Sequence, residues 1–157
     1  RVLVTITNDG TVTAWDGTPV NDSPPPDPLA LFGLAWERTA HPDPKQHDYP
    51  AAVRLANLAL DRMPSYGDAW LALGAAQYRT GNFAAAIEAL KKSLDREPTS
   101  PAAVKFYLAM ANARLGLVGE AKRWFDEAVK DAVAEKDVAR IDELRRFRAE
   151  AAGLITR

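Results

Sequence analysis

The sequence of 157 residues contains no cysteine. It therefore has no disulfide framework, no thiolate metal site and no cysteine nucleophile, which suits a reducing compartment, and we expect a cytoplasmic location. No apolar run approaches the roughly 20 residues that a membrane-spanning helix needs, so we expect no membrane contact. The formal net charge is only -1. This value is too small to attract nucleic acid by charge alone, so no nucleic-acid partner is expected.

The first 17 residues carry the pattern of a β-hairpin. β-Branched residues alternate with polar ones on both sides of Asn8-Asp9-Gly10, and Asp-Gly readily adopts the positive φ of tight hairpin turns. The stretch is similar to the last two strands of a WD-repeat propeller blade, where such a turn precedes a Trp-Asp pair, here Trp15-Asp16. The resemblance implies the tail of a propeller; a small hairpin packed on the helices is the alternative. Its exposed edge predicts self-association.

Residues 18–27 contain four prolines, which predict a stiff, extended linker between the hairpin and the helical part of the chain. Helical periodicity begins after this linker, because Asp27 is a good N-cap and Pro28 suits the first helical position. Ser65 with Asp68 predicts a second helix start of the capping-box kind. Ser100 followed by Pro101 predicts a third.

The strongest pattern lies between Gly67 and Ser100. Gly74 and Ala86 lack bulk, so two helices can cross closely there. Larger residues fill the space around that crossing, and a proline ends the second helix. The stretch resembles a tetratricopeptide (TPR) repeat, with the large, small and helix-ending positions of that family occupied by Trp70, Leu73, Gly74, Tyr78, Gly81, Phe83, Ala86, Ile87, Leu90, Leu94 and Pro98.

The same pattern recurs on both sides of this stretch. Trp36 precedes Trp70 by 34 residues, and Gly116 follows Gly81 by 35. We predict repeats at 33–66, 67–100 and 101–135, then a capping helix at 137–153 with a solvated polar face that includes Arg145-Arg146-Phe147-Arg148. The predicted fold is all-α. It is a right-handed TPR α-solenoid of three helix pairs plus a capping helix over residues 28–157, preceded by the short β-hairpin.

The resemblance implies a peptide-binding groove on the concave face, which the first helix of each pair lines. At the matched positions stand Asp68, Leu71, Ala75, Tyr78, Arg79, Phe106, Met110, Ala113 and Arg114. These residues predict one contiguous apolar strip with two arginines at its edge, suited to an apolar helix or an extended peptide. The alternative is that the strip buries an adjacent domain of the parent protein.

Catalytic residues and cofactors are not predicted, because no phosphate-binding glycine loop or nucleophile motif is present. The arrangement resembles the C-terminal region of large bacterial multidomain proteins that join WD repeats and TPRs, some with a Ser/Thr kinase. This resemblance implies a non-enzymatic scaffold module for a protein or peptide partner, or a structural or regulatory appendage of an upstream kinase or propeller. A metal-dependent enzyme site in the 41–48 loop, with His41 and His47, is the other alternative.

Overall fold

A computed structural model of the chain describes residues 3–6, 12–15 and 27–156. In the first two ranges, strands β1 (Leu3–Ile6) and β2 (Val12–Trp15) pair antiparallel, with Leu3 opposite Trp15. The predicted turn at Asn8-Asp9-Gly10 and most of the proline-rich linker lie outside the described residues. The complete hairpin and its likeness to a propeller blade therefore stay predictions.

Residues 27–156 fold into seven α-helices, in agreement with the predicted all-α solenoid. Consecutive helices pack together as three pairs, α1 with α2, α3 with α4 and α5 with α6, and α7 follows the third pair. None of these helices combines the length and the apolarity needed to cross a bilayer. The bounds are α1 Pro28–Ala40, α2 Tyr49–Arg62, α3 Gly67–Arg79, α4 Phe83–Leu94, α5 Pro101–Arg114, α6 Val118–Val133 and α7 Val138–Ile155.

Two of the three predicted helix starts are confirmed. The Asp27 carboxylate accepts a hydrogen bond from the Leu29 N–H, and the Ser100 hydroxyl oxygen accepts one from the Ala103 N–H. The start predicted at Ser65 is wrong, because α3 has Tyr66 as its N-cap, without a side-chain hydrogen bond. Asp68 accepts from the backbone N–H of Thr99 at 2.8 Å instead, which ties the start of α3 to the α4–α5 connection.

The second and third pairs turn in the same way between their helices. Gly81 and Gly116 have φ of 86° and 75°, a left-handed conformation that favours glycine. The following backbone N–H donates to a carbonyl five residues earlier in both turns, Asn82 to Gln77 and Leu117 to Asn112, each at 2.9 Å. This shared helix ending supports the predicted equivalence of Gly81 and Gly116.

The close crossing of α3 and α4 at Gly74 is confirmed. A Cβ added to Gly74 would lie 2.5 Å from Cγ of Leu90 and 3.2 Å from the backbone oxygen of Ala86. Leu90 and Ala86 are both fully buried. Trp70, which the sequence placed at this crossing, instead lies half-buried at the edge of the core, where its Nε1–H donates to the Pro64 carbonyl at 2.8 Å.

A substitution at Gly74 tests whether α3 and α4 cross as closely as the structure shows. We expect Gly74→Ala to lower the free energy of unfolding by about 1–3 kcal/mol, because the added methyl group overlaps Leu90. Gly33→Ala in α1 is the matched control, since a Cβ there meets nothing within 4 Å; it should raise stability by about 0.5–1 kcal/mol. Urea unfolding followed by helical circular dichroism measures both. Equal changes for the two variants would contradict the close crossing.

Candidate functional site

The first helices of the three pairs, α1, α3 and α5, form one surface, which we call the inner face. All nine residues predicted for the groove lie on α3 or α5. Leu71, Ala75, Tyr78, Phe106 and Met110 are almost fully buried. The predicted apolar strip is therefore present as a set of neighbouring side chains, but it is covered.

Helix α7 of the same chain provides the cover. It packs mainly on α5 and also on α6. Its three buried residues, Leu144, Phe147 and Ala151, belong to one core cluster with Leu71, Tyr78, Phe106 and Met110. The sequence assigned α7 to the end of the stack with Phe147 on a solvated face. That assignment is wrong for Phe147, which is only 2% exposed.

Four aromatic rings meet where Phe147 enters the inner face, and we call Trp36, Tyr78, Tyr107 and Phe147 the aromatic cluster. The Phe147 ring centroid lies 5.0 Å from that of Tyr107 and 6.1 Å from that of Trp36. Tyr107 also contacts Tyr78, at 5.8 Å between centroids. One ring comes from each of α1, α3, α5 and α7, so the cluster joins four helices.

Tyr107 is thus the α5 residue at the centre of the inner face, and the sequence analysis did not include it among the groove residues. Phe106, which the sequence analysis did include, packs edge to face on Phe125 of α6 within the third pair, at 5.9 Å between ring centroids. A sequence signal for Tyr107 was available, because a large aromatic residue in the middle of a helix that is apolar all round is expected to be buried.

Hydrogen bonds hold α7 on either side of Phe147. The Arg79 guanidinium donates to both carboxylate oxygens of Glu150, with Nη2 2.7 Å from Oε2. The Tyr78 hydroxyl donates to the same carboxylate at 3.3 Å. Four residues before Phe147, Glu143 Oε1 accepts from the Trp36 indole N–H at 3.0 Å. The two glutamates are seven residues apart, two helical turns, so they project from the same side of α7.

The two carboxylates differ in their electrostatic environment. Burial raises the pKa of Glu143, and the charge of Glu37 raises it further; the Trp36 hydrogen bond and the charges of Arg146 and Arg140 only partly oppose this. At the other anchor, burial is the largest influence on Arg79 and would lower its pKa, but the hydrogen bond and charge of Glu150 together with Tyr107 outweigh burial, and the pKa is raised. The Glu150 anchor is a charge pair, whereas the nearest donor at Glu143 is neutral.

The remaining predicted groove residues lie at the edges of the inner face. Arg114 is exposed, with its guanidinium 6.0 Å from the Phe83 ring centroid, and Ala113 beside it is half-buried. Arg114 lines a cavity of about 340 Å³ together with Tyr78, Arg79 and Glu150. Asp68 is buried, and both of its carboxylate oxygens accept hydrogen bonds from Thr99.

Part of the inner face is left open beside the N-terminal half of α7. This open cleft has a volume of about 250 Å³, and its wall combines aromatic rings with charges of both signs. A second cavity of about 430 Å³ shares Trp36, Arg140 and Glu143 with it and extends to His41. The wall of the open cleft includes Phe32, Trp36, Tyr66, Leu71, Arg140 and Glu143.

The 41–48 loop uses its histidines for local hydrogen bonds. His41 Nδ1 accepts from the Asp43 N–H at 3.0 Å, and His47 Nε2 donates to the His41 carbonyl at 2.9 Å. The Tyr49 hydroxyl lies 2.8 Å from the other His47 ring nitrogen. Among the described residues, no group of three or more His, Cys, Asp or Glu side chains is placed to hold a metal ion. The loop geometry gives no support to the metal-dependent alternative.

Comparison with known families gives a match in the central part of the chain. The family model of the tetratricopeptide repeat matches residues 45–101, which span α2, α3, α4 and the first residue of α5. A search of curated proteins found no significant relative. Tetratricopeptide repeats generally mediate protein–protein interaction through the surface that their first helices line. The match stops before α6 and α7, so the covering helix lies beyond it.

The environment of Glu143 gives a pH-dependent prediction. Its pKa is raised in the folded chain, so the ionised carboxylate opposes folding, and this cost disappears as Glu143 becomes protonated at low pH. Glu143→Gln keeps an oxygen acceptor for the Trp36 N–H without the charge. We therefore expect the variant to have a higher urea midpoint of unfolding than the natural chain at pH 7. The difference between the two midpoints should become smaller toward pH 4.

The control for this comparison is Asp142→Asn, because Asp142 is an exposed carboxylate one residue earlier on the same helix. This change should leave the urea midpoint at pH 7 nearly unchanged. A Glu143→Gln variant that is less stable than the natural chain at pH 7 would contradict the prediction, since the charge of Glu143 would then be favourable.

Proposed function

We propose that this chain is a non-enzymatic protein-interaction module of the tetratricopeptide type, and that its inner face binds a segment of a partner protein. The segment enters at the open cleft beside α7. A neighbouring domain of a longer parent protein is the alternative occupant. The observation that carries the proposal is the chemistry of this face, on which half-buried aromatic rings from α1 and from the N-cap of α3 lie beside charged side chains of α7.

The walls of the open cleft are of the kind that binding hot spots use. Phe32 and Tyr66 meet edge to face, with ring centroids 5.4 Å apart, and Trp36 stands nearby. Aromatic and arginine side chains dominate the binding energy of protein interfaces. Arg140 supplies a cation at the rim. An apolar segment with an acidic residue next to it fits this combination.

The predicted groove residues extend the proposed site along α3 and α5. Leu71 lines the open cleft, whereas Tyr78, Arg79, Phe106 and Met110 lie under α7 or beside it. A partner segment in the open cleft would lie against α7. We therefore propose that the open cleft is the entry point and that the covered residues form the rest of the site.

We also propose that the module belongs to a larger multidomain protein. This rests on residues 1–17, whose hairpin pattern and Trp15-Asp16 pair resemble the end of a WD-repeat blade. In the large bacterial proteins that the chain resembles, propeller and tetratricopeptide units occur in one polypeptide. Further Asp-Gly turns and Trp-Asp pairs at a spacing of about 40–45 residues in the reading frame before Arg1 would support this proposal.

A photo-crosslinking experiment tests the binding face. The chain carries p-benzoylphenylalanine in place of Phe32, in the open cleft, or in place of Leu58, which is 47% exposed on α2. After irradiation with extract of the source cell, mass spectrometry identifies the crosslinked segment. We expect one apolar, acid-containing segment at Phe32 and not at Leu58, and the same segment as a synthetic peptide should bind the natural chain but bind Trp36→Ala at least about tenfold more weakly.

Crosslinks at Leu58 without crosslinks at Phe32 would move the binding surface to the outer helices and contradict the proposal. Crosslinks at Phe32 only to another part of the same polypeptide would favour the alternative occupant, an adjacent domain. Absence of any crosslink at Phe32 would favour a structural role for the module.

A further inference from the structure

Helix α7 contacts the inner face more in the way a bound ligand would than in the way the next helix of a solenoid would. The next helix of a solenoid contacts the pair before it. α7 does pack on α5 and α6, but its side chains also bind two earlier pairs. Glu150 binds Arg79 of α3, and Glu143 binds Trp36 of α1. A single helix is thus recognised by all three pairs at once.

From this geometry we infer that α7 is an internal ligand, and that the partner is an amphipathic helix that displaces it by presenting the same side chains. The pattern is Glu-Leu-x-x-Phe-x-x-Glu-Ala, as in residues 143–151. This inference rests on the proposed function, since it names the class of partner and adds that the module is closed until the partner binds.

The polar groups of the inner face select this pattern. Trp36, Tyr78 and Arg79 each donate to α7, so each requires an acceptor on the bound helix. The two acceptor positions are seven residues apart, about 10 Å along a helix. Phe147 lies between them and fills the space between Trp36 and Tyr107. A helix with one acceptor, or with acceptors at another spacing, satisfies only one anchor.

The packing of α7 is lighter than that of the central helix of the core. Three of its 18 residues are buried, against ten of the 14 residues of α5, and the outer helix α6 is similarly lightly buried, with two of its 16 residues. The connection that holds α7 to α6 is not packed either, because Val133 before it is 83% exposed and Val138 after it is 74% exposed. The hydrogen bonds that the Glu135 carboxylate makes at this connection involve Lys136, Asp137 and Arg140, which are all close to it in the chain. α7 can therefore leave without breaking the packing of the three pairs.

Two polar atoms under α7 give a partner helix an advantage. Among the described residues, Nε of Arg79 and the hydroxyl of Tyr107 are buried without a hydrogen-bond partner. Buried donors without acceptors oppose the state that contains them. A partner helix that offers one more acceptor near Arg79 would satisfy a group that α7 leaves unpaired. Such a helix would bind the inner face better than α7 does.

The test uses a fluorescein-labelled synthetic peptide of residues 137–155 as the probe and the full chain as the receptor, measured by fluorescence anisotropy. In the natural chain, α7 competes at a high effective concentration, so the peptide should bind weakly. Glu150→Gln removes the charge from the Arg79 anchor of the built-in helix, and the intact peptide should then bind about fivefold to tenfold more tightly. Asp142→Asn, the matched carboxylate-to-amide change on the exposed side of α7, should bind like the natural chain.

Hydrogen exchange provides the second measurement. An isotopically heavy peptide added to the Glu150→Gln chain should increase exchange in residues 138–155 of the chain itself, because its own helix is displaced. Adding Arg79→Ala to Glu150→Gln should abolish the gain in affinity. If Glu150→Gln lowers helical circular dichroism, Phe147→Leu replaces it, since that change also weakens only the built-in helix while the added peptide keeps its Phe; the same direction of change is expected.

Equal affinity of the peptide for the natural chain, Glu150→Gln and Asp142→Asn, without increased exchange in residues 138–155, would overturn the inference. So would absence of binding to every variant. In both cases a crosslink at Phe32 would leave the proposed function standing, with the open cleft as its whole site. A stable dimer in which two Glu150→Gln chains each bind the α7 of the other would show that the inner face binds a second copy of this chain. This outcome would also overturn the inference of a partner helix.

Discussion

The contact between Phe147 and Tyr107 is the central interaction that holds α7 on the inner face. The two ring centroids are 5.0 Å apart, and Trp36 and Tyr78 complete the aromatic cluster around them. Aromatic pairs at such distances contribute beyond the area they bury. Because the four rings come from α1, α3, α5 and α7, the cluster as a whole joins the last helix to all three pairs. The inner face is therefore both the centre of the core and the proposed binding surface.

The polar contacts around this cluster determine how strongly α7 is held on the inner face. At one end of α7, the Arg79 guanidinium donates two hydrogen bonds to the Glu150 carboxylate. Hydrogen bonds between charged groups are stronger than hydrogen bonds between neutral groups. At the other end, Glu143 is partly buried and its nearest donor is the neutral Trp36 indole, so its pKa is raised. One anchor favours the seated helix and the other opposes it. A binding surface closed by such a helix is protected from wrong partners and stays available to a helix that fits better.

The family match and the covering helix belong to different parts of the molecule. The tetratricopeptide repeat model matches residues 45–101, where the spacing of Gly74, Ala86 and Pro98 reflects the crossing of two neighbouring helices. α7 lies beyond this range, and its contacts with α1 and α3 join residues more than 70 positions apart in the chain. The side-by-side packing of α1, α3 and α5 explains why an inner face exists. The side chains of α7 explain how this chain covers it.

The sequence by itself determined the helix pairs, because the requirements at their crossings and turns are local. Gly74 must be small beside Leu90, and Gly81 and Gly116 must adopt positive φ, so each position could be recognised from residue type and spacing. The helix start at Ser65 was mispredicted because the Asp68 side chain, which would have taken part in a local cap, binds the distant Thr99. The tertiary structure alone decided the place of α7. Its stripe of apolar residues shows that one side is buried, but periodicity does not specify the surface against which it packs. That choice depends on rings and donors that only folding brings together, which is why the apolar groove residues were found on the expected helices but largely under a helix of their own chain.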